Sequence, residues 1–451
     1  MKRQNYVIKK SDVLCGSSSL KRKDDNSDRV SYMVSNIKDN KALHFYIKKY
    51  PKKHKSLLIK KIAKEYIKYR ENWNDQPSKI ISKRIPTKKY KEKKISPLCL
   101  DIETAAICDL ACPFCYREFT ATPDKIIDEK ICYELIDQAA SLNIPSIKFN
   151  WRGEPLLHPK LPEFISYAKS KGILETIINT NATNLKGKLA KKLIESGLDF
   201  IIYSFDGGTK KTYEKMRPGR FKKNLYEETY SNIKNFKILK DKMNSKFPYT
   251  KIQMILMKET FNEKKEFFDN FNMYVDDVSL SQYTERGAKI SDLDENSLSQ
   301  YYHQLSLNKL PIGTAYLRDA YGNIKLANGR KPCEQPFQRL LVTYEGRVAM
   351  CCYDWGATYP IGYTSENAFN NLKDYTEIID SAKKNKRGFE LLKSVKMPKQ
   401  LNNLIKSKST LSEIWLGKEI NKVREKHLVN KGEEINICKN CSFKDVYNWI
   451  D

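Results

Sequence analysis

The chain has 451 residues, with 82 basic and 54 acidic side chains, a net charge of +28 and 40% hydrophobic content. That length implies two or three structural units and a sizeable core. Met1–Lys10 lacks the apolar segment of a secretory signal, and no apolar run approaches the roughly 20 residues that span a membrane. A cytoplasmic location is therefore expected, where eleven cysteines favour metal or redox work over disulfides.

The charge is concentrated at the start: the first 98 residues hold 28 basic and 9 acidic side chains. One reading is an anionic partner; the other is a Lys- and Asn-rich solvated surface. The basic stretches do not interleave base-stacking aromatics, so nucleic acid is not expected as a partner. Residues 1 to about 40 are polar, with Ser17-Ser18-Ser19 and mixed charges, and read as largely disordered. From Ser56 to Trp73, apolar residues including Leu58, Ile59, Ile62, Tyr66, Tyr69 and Trp73 recur at helical spacing. This predicts a basic amphipathic helix packed on the main domain. Pro86–Lys94 reads as a Lys-rich linker.

From Leu98 short apolar runs alternate with helical stretches. The predicted strands are Leu98–Ile102, Ile147–Trp151, Thr176–Asn179, Phe200–Ser204, Ile252–Met257 and Val278–Leu280. The predicted helices are Asp128–Leu142, Pro162–Ser170, Leu185–Ser196, Glu227–Leu239 and Glu263–Phe271. Such alternation predicts the α/β class, a parallel sheet with helices outside. Six strands suit a partial (β/α)6 TIM-like barrel, with functional residues at the strand C-terminal ends. A hairpin is expected from Arg339–Tyr344 through Glu345-Gly346 to Arg347–Met350. The expected organisation is a basic N-terminal extension over residues 1–96, the barrel over 97–309 and a small cysteine-bearing domain over 310–451.

Cys108, Cys112 and Cys115 stand as C-x-x-x-C-x-x-C directly after the first predicted strand. Three close thiols can hold three irons of a cubane cluster and leave the fourth open to a ligand. Zinc is the competing reading, but it usually takes four ligands, and no fourth Cys or His lies nearby in sequence.

The spacing, with Phe114 before the third cysteine, resembles the radical S-adenosylmethionine (SAM) superfamily. The resemblance extends over roughly residues 97–445 and implies a SAM-binding [4Fe–4S] cluster. Its open iron would chelate SAM, which is cleaved reductively to a 5′-deoxyadenosyl radical that takes hydrogen from a substrate C–H bond. Phe114 and Tyr116 would lie along the adenine. Arg152-Gly153-Glu154-Pro155 is similar to the family's Gly-Gly-Glu-Pro, with Arg152 in place of the first glycine. Gly153 would let the backbone approach closely, and Glu154 would accept from the SAM ammonium. Asn179-Thr180-Asn181 and Ser204-Phe205-Asp206-Gly207 resemble the segments that bind the ribose or carboxylate. Ser204 is the reaching residue there, and Asp206 is equally a cap for the next helix. Gln253 and Met257 line the barrel or belong to its core.

Cys333, Cys351, Cys438 and Cys441 resemble the auxiliary-cluster domain of the SPASM/Twitch group. There are too few cysteines for the full SPASM pattern, so the shorter Twitch type is expected, with a second, auxiliary [4Fe–4S] cluster carrying electrons. A zinc ribbon is the alternative. Cys352 adjoins Cys351 and could replace it as ligand; otherwise it is a buried small hydrophobe or a hydrogen donor to a substrate radical. The resemblance further implies a reductant such as flavodoxin or ferredoxin and a small-molecule carbohydrate or a peptide substrate, possibly anionic. The preferred reaction is oxidation, epimerisation or dehydration of a sugar or nucleotide sugar, with peptide or protein modification as the alternative. A basic zinc or iron–sulfur RNA-binding protein is the reading from a different class.

Overall fold

The computed structural model describes residues 17–19, 25–115, 117, 122–257, 259–282, 316–318, 324–326, 332–357, 359–370 and 408–439. Helices α1 (Asp25–Asn36), α2 (Lys41–Lys48) and α3 (Lys55–Ser82) follow a short strand β1 (Ser17–Ser19). The α/β body then runs β2 (Cys99–Ile102), α4 (Glu129–Ser141), β3 (Ser146–Lys148), α5 (Leu161–Ser170), β4 (Glu175–Thr180), α6 (Gly187–Glu195), β5 (Phe200–Ser204), α7 (Lys210–Met216), α8 (Tyr226–Lys242), β6 (Tyr249–Leu256), α9 (Lys264–Phe271) and β7 (Asp277–Gln282). A two-stranded ladder, β8 (Tyr316–Arg318) with β9 (Ile324–Leu326), stands apart. The C-terminal part contributes α10 (Gln335–Gln338), β10 (Arg339–Val342), β11 (Arg347–Ala349), β12 (Pro360–Tyr363), α11 (Asn367–Asn370), α12 (Leu411–Leu416), α13 (Lys418–Leu428) and α14 (Asn436–Lys439).

Strands β2 to β7 are parallel and adjacent in chain order, as a right-handed strand–helix succession dictates. This is the partial barrel that the alternation predicts. The sheet does not stop at β2: β10 pairs with it in parallel, and β11 and β12 continue antiparallel, giving ten strands. The hairpin expected after Arg339 is β10–β11, and it extends the barrel's own sheet. Side chains alternate across the strands. Leu100, Ile102, Ile147, Ile178, Ile201, Ile252, Met254 and Val278 face the helices and are sealed from solvent. The opposite face carries Asp101, Lys148, Glu175, Asn179, Ser204, Lys251 and Asp277, aligned by register.

Two expectations need correction. Residues 25–40 are ordered helix, with Met33 at 1% exposure. The cause is tertiary: α1 and α3 close the end of the barrel where the strands begin. Glu175 there is fully buried. Tyr66 and Tyr69 donate their hydroxyls to its two oxygens at 2.8 and 3.1 Å, and the Arg29 guanidinium pairs with it. Arg29 also stacks 4.0 Å over Phe200, and Tyr32 meets Tyr249 edge-on. Polar composition misread this segment because its few apolar and cationic groups all find partners on another element. Pro86–Lys94 is likewise no free linker. Tyr90 is 1% exposed; its ring packs at 6.2 Å on Trp415, and the Arg424 guanidinium lies against both rings. Helix α3 also runs nine residues past Trp73, with Pro77 inside it.

Candidate active site

A cavity of about 460 Å³ opens where β2 to β5 end. Cys108, Cys112 and Cys115 line it together with Phe114, Gly153, Glu154, Asn179, Asn181 and Ser204. Residues from four widely spaced segments thus converge on one space. Pro155 is not among the lining residues; it opens a single 3-10 turn, Pro155–Leu157, capped by Glu154. Tyr116 lies outside the described residues.

The cysteine loop is held by backbone bonds from a segment with no motif. Ala111 N donates to Pro218 O at 2.8 Å, Arg220 N to Asp109 O at 2.8 Å, and Arg220 Nη1 to Cys108 O at 3.0 Å. Arg217, on the same segment, lines the cavity; its Nε donates to Asp206 Oδ2 at 2.8 Å and its guanidinium lies 5.9 Å from the Phe114 ring centre. Asp206 is therefore not the helix cap; Thr209 caps α7, accepting from Thr212 N. Asp206 instead orders Arg217 and accepts from Ile255 N at 2.6 Å. Gln253 and Met257 do not line the cavity.

Gly153 shows why its side chain must be absent. A Cβ there would lie 2.4 Å from both Ala105 O and Ile107 O, so the glycine lets its loop pack against the segment leading into Cys108. Glu154 N then donates to Ile107 O at 2.8 Å. The Glu154 carboxylate accepts from Thr180 Oγ1 at 2.6 Å, Leu156 N at 3.0 Å and Asn181 N at 2.8 Å. A carboxylate has about four acceptor positions, so one is left for a cationic ligand group. Burial, with Asp109 adding, pushes the Glu154 carboxyl up to about 7. Asn181 is already committed: its Nδ2 donates to Asp109 Oδ1 at 2.7 Å and its Oδ1 accepts from Thr183 N. Asn179 differs, because its buried Oδ1 has no hydrogen-bond partner among the described residues.

These features fit a cluster with SAM. Burial, and then the Glu154 charge, push the Cys108 thiol well up, so a thiolate there calls for a strong local positive charge such as a metal provides. Among the described residues no three His, Cys, Asp or Glu side chains are grouped to hold a single metal ion. Three thiols spread around one space suit a polynuclear cluster, while Asn179 Oδ1 and the remaining Glu154 acceptor suit a ligand with donor groups.

Arg152, the departure from the glycine pattern, forms a fully buried two-pronged pair with Glu103, Nε to Oε1 at 2.6 Å and Nη2 to Oε2 at 2.8 Å. Glu103 Oε2 also accepts from Tyr344 N at 3.2 Å, and Trp151 Nε1 donates to Cys352 O at 2.9 Å. Arg152 and Trp151 thus tie the barrel loop to the C-terminal part.

The adjacent cysteines part company there. Cys352 lines the cavity, its Sγ 3.3 Å from Gln335 Oε1, whereas Cys351 is buried and does not line it. Cys333 lies two residues before α10, which packs on α13 through Arg424 Nε donating to Pro336 O at 2.9 Å. Helix α13 ends near His427, whose Nε2 is 3.6 Å from the buried Cys438 Sγ. Cys441 lies outside the described residues. Arg217 and His427 were missed because single residues on unrelated elements leave no spacing to read.

A model of the radical SAM superfamily matches residues 102–270, and one of the SPASM iron–sulfur cluster-binding domain matches residues 333–442. Fe-coproporphyrin III synthase of Methanosarcina barkeri is 37% identical over 114 residues, 24% of this chain and 27% of that relative. GTP 3′,8-cyclase of Chlorobaculum tepidum is 35% identical over 106 residues, 23% of this chain and 32% of that relative. The chain therefore spans about a third or less of the length of these relatives. The crystal structure of BtrN in complex with AdoMet and 2-DOIA superposes with a TM-score of 0.40 at 16% identity, covering 77% of this chain and 93% of that one. The radical SAM domain implies a [4Fe–4S] cluster and SAM, and the SPASM domain implies auxiliary iron–sulfur binding. The chain carries a radical SAM domain, followed by a SPASM iron–sulfur cluster-binding domain.

Proposed function

We propose that this protein uses reductive SAM cleavage to take hydrogen from a carbon of a sugar or nucleotide sugar, leading to its oxidation, epimerisation or dehydration. The observation that carries the reading is one cavity lined by Cys108, Cys112 and Cys115 at one side and by Cys352 and Gln335 at the other. When bound, the cluster and SAM supply a reductively generated radical that abstracts hydrogen. Cys108, Cys112 and Cys115 hold the cluster. Glu154 and Asn179 orient the polar groups of SAM, Ser204 lies beside them, and Phe114 with Arg217 walls the aromatic part. The segments bearing Cys333, Cys351 and Cys438, with Cys441, hold the auxiliary cluster, and flavodoxin or ferredoxin supplies electrons.

Cys352 favours epimerisation among the outcomes, since its thiol lines the cavity while its neighbour does not. Its S–H bond breaks as a C–H bond forms on the substrate radical, and one electron and one proton from the reductant and solvent restore the thiol. Anaerobic reconstitution should give about eight irons per chain for two [4Fe–4S] clusters, with 5′-deoxyadenosine formed from SAM under reduction. A fully reconstituted protein that leaves SAM intact sinks the proposal. In D2O, Cys352→Ala should keep 5′-deoxyadenosine formation and lose deuterium entry into product; unchanged deuterium entry removes Cys352 from the reaction.

A further inference from the structure

Beyond the cysteines and the SAM-facing residues, the cavity has a second wall. It is built by Trp73 from the N-terminal helix α3 and by Asp101, Lys148, Glu334, Gln338 and Arg339. We propose that helix α3 forms one side of a substrate subsite there, in which Trp73, Gln338 and Arg339 select an uncharged polyhydroxylated compound. The inference rests on the radical SAM reading above and narrows its substrate class.

Two observations carry it. First, the wall is built rather than incidental. Gln338 is 0% exposed and its Nε2 donates to Trp73 O at 2.6 Å, while the Arg339 guanidinium lies 4.9 Å over the Trp73 ring and donates to Asp101 Oδ2 at 3.2 Å. Second, after those bonds one acceptor and one donor are left. Gln338 Oε1 and Arg339 Nε are buried with no hydrogen-bond partner among the described residues. Buried polar atoms are ordinarily paired, so an unmatched donor and acceptor on consecutive residues of a cavity wall mark where a ligand completes the set. A hydroxyl both donates and accepts, and two neighbouring hydroxyls satisfy both atoms. A phosphate or carboxylate satisfies only Arg339 Nε and sets its charge against Gln338 Oε1, Asp101 and Glu334. The cationic side chains of the wall, Lys148 and Arg339, are equalled in number by those two carboxylates. The N-terminal extension thereby acquires a role: its lower end is anchored on Glu175, and one turn beyond Tyr69 it delivers Trp73 to the site.

The test is ligand-observed saturation-transfer NMR on the full chain, reconstituted anaerobically and saturated with SAM. The probes are myo-inositol and methyl α-D-glucopyranoside, with UDP-glucose and an uncharged blocked tripeptide for comparison. The expected result is saturable binding of an uncharged polyol, weakened about tenfold by Arg339→Lys and by Trp73→Ala through the lost hydrogen bond and wall. Trp73→Phe should stay within a few-fold of the wild type, and equilibrium SAM binding should hold in all three. Arg339→Lys keeps the charge beside Asp101, so it tests the subsite even if Trp73→Ala fails to fold. The inference is overturned if neither polyol binds, if UDP-glucose or the tripeptide binds more tightly than both, or if polyol binding survives Arg339→Lys and the folded Trp73 variants unchanged. SAM cleavage is assayed separately on the same wild-type preparation. Its failure condemns the radical activity, while the binding result judges the subsite on its own.

Discussion

Strand β4 carries a buried carboxylate at its first residue and a buried amide oxygen four residues on. At the lower end, the Glu175 oxygens accept from Tyr66 and Tyr69 and pair with Arg29. At the upper end, Asn179 Oδ1 has no partner among the described residues, and Gln338 Oε1 and Arg339 Nε share that condition. Both ends are polar, and helix α3 supplies Tyr66 and Tyr69 to the lower one and Trp73 to the cavity at the upper one. The difference is that both Glu175 oxygens find donors within the fold, whereas Asn179 Oδ1 finds none among the described residues. A satisfied buried network holds the structure together; an unsatisfied one at a cavity is where binding energy is collected.

The sharpest way to break this contrast is at the upper end. Replacing Cys108, Cys112 and Cys115 together by Ala should abolish 5′-deoxyadenosine formation and remove about four irons per chain. The auxiliary iron should remain, and far-ultraviolet circular dichroism should stay close to wild type. Loss of all iron would show that the two centres are not separable.

At the lower end, Glu175→Gln leaves Arg29 without its counter-charge. Breaking a buried pair this way costs ~3–5 kcal/mol, read by chemical denaturation. Folded enzyme should keep its SAM affinity. A variant as stable as wild type would mean that the extension is not anchored there.

Gly153→Ala probes the junction between motif and cysteine loop. Its Cβ meets two backbone carbonyl oxygens at 2.4 Å, and overpacking of this kind costs ~1–3 kcal/mol. SAM affinity should fall with stability, since the displaced loop leads into Cys108.

The smallest effect is the pH dependence of the lower end. Burial alone would push the Glu175 carboxyl up, but Arg29, then Arg70 and the tyrosine hydroxyls, hold it below its ordinary value of 4.5. A carboxyl depressed by folding stabilises fully above its unfolded pKa, and that stability drains away as pH falls through the folded value. Acid unfolding should therefore gain a component below about pH 4.5 that Glu175→Gln lacks. An identical acid profile for the variant would contradict the pairing.

The parts legible in the sequence were those that depend on local spacing. Alternating runs marked six parallel strands because strand and helix periods are written residue by residue. Cys108, Cys112 and Cys115, with Glu154, Asn179 and Ser204 at strand ends, marked the cavity, since each sits just after its own apolar run. The two misread segments share one physical reason. Residues 25–40 and Pro86–Lys94 are polar locally, and only distant partners such as Glu175 and Arg424 bury them. The difference between Cys351 and Cys352 was equally hidden, because adjacent residues have the same spacing to every other motif.

The sequence by itself determined the barrel class, the closely spaced cysteine triplet and the presence of a second cysteine set, all of which follow from short-range pattern. Only the tertiary structure decided that β10 to β12 continue the barrel sheet, that Cys352 lines the cavity while Cys351 does not, and that Trp73 reaches the cavity from the N-terminal helix. Those outcomes depend on register and on packing between elements far apart in the chain, where each contact depends on both partners and neither local sequence states it.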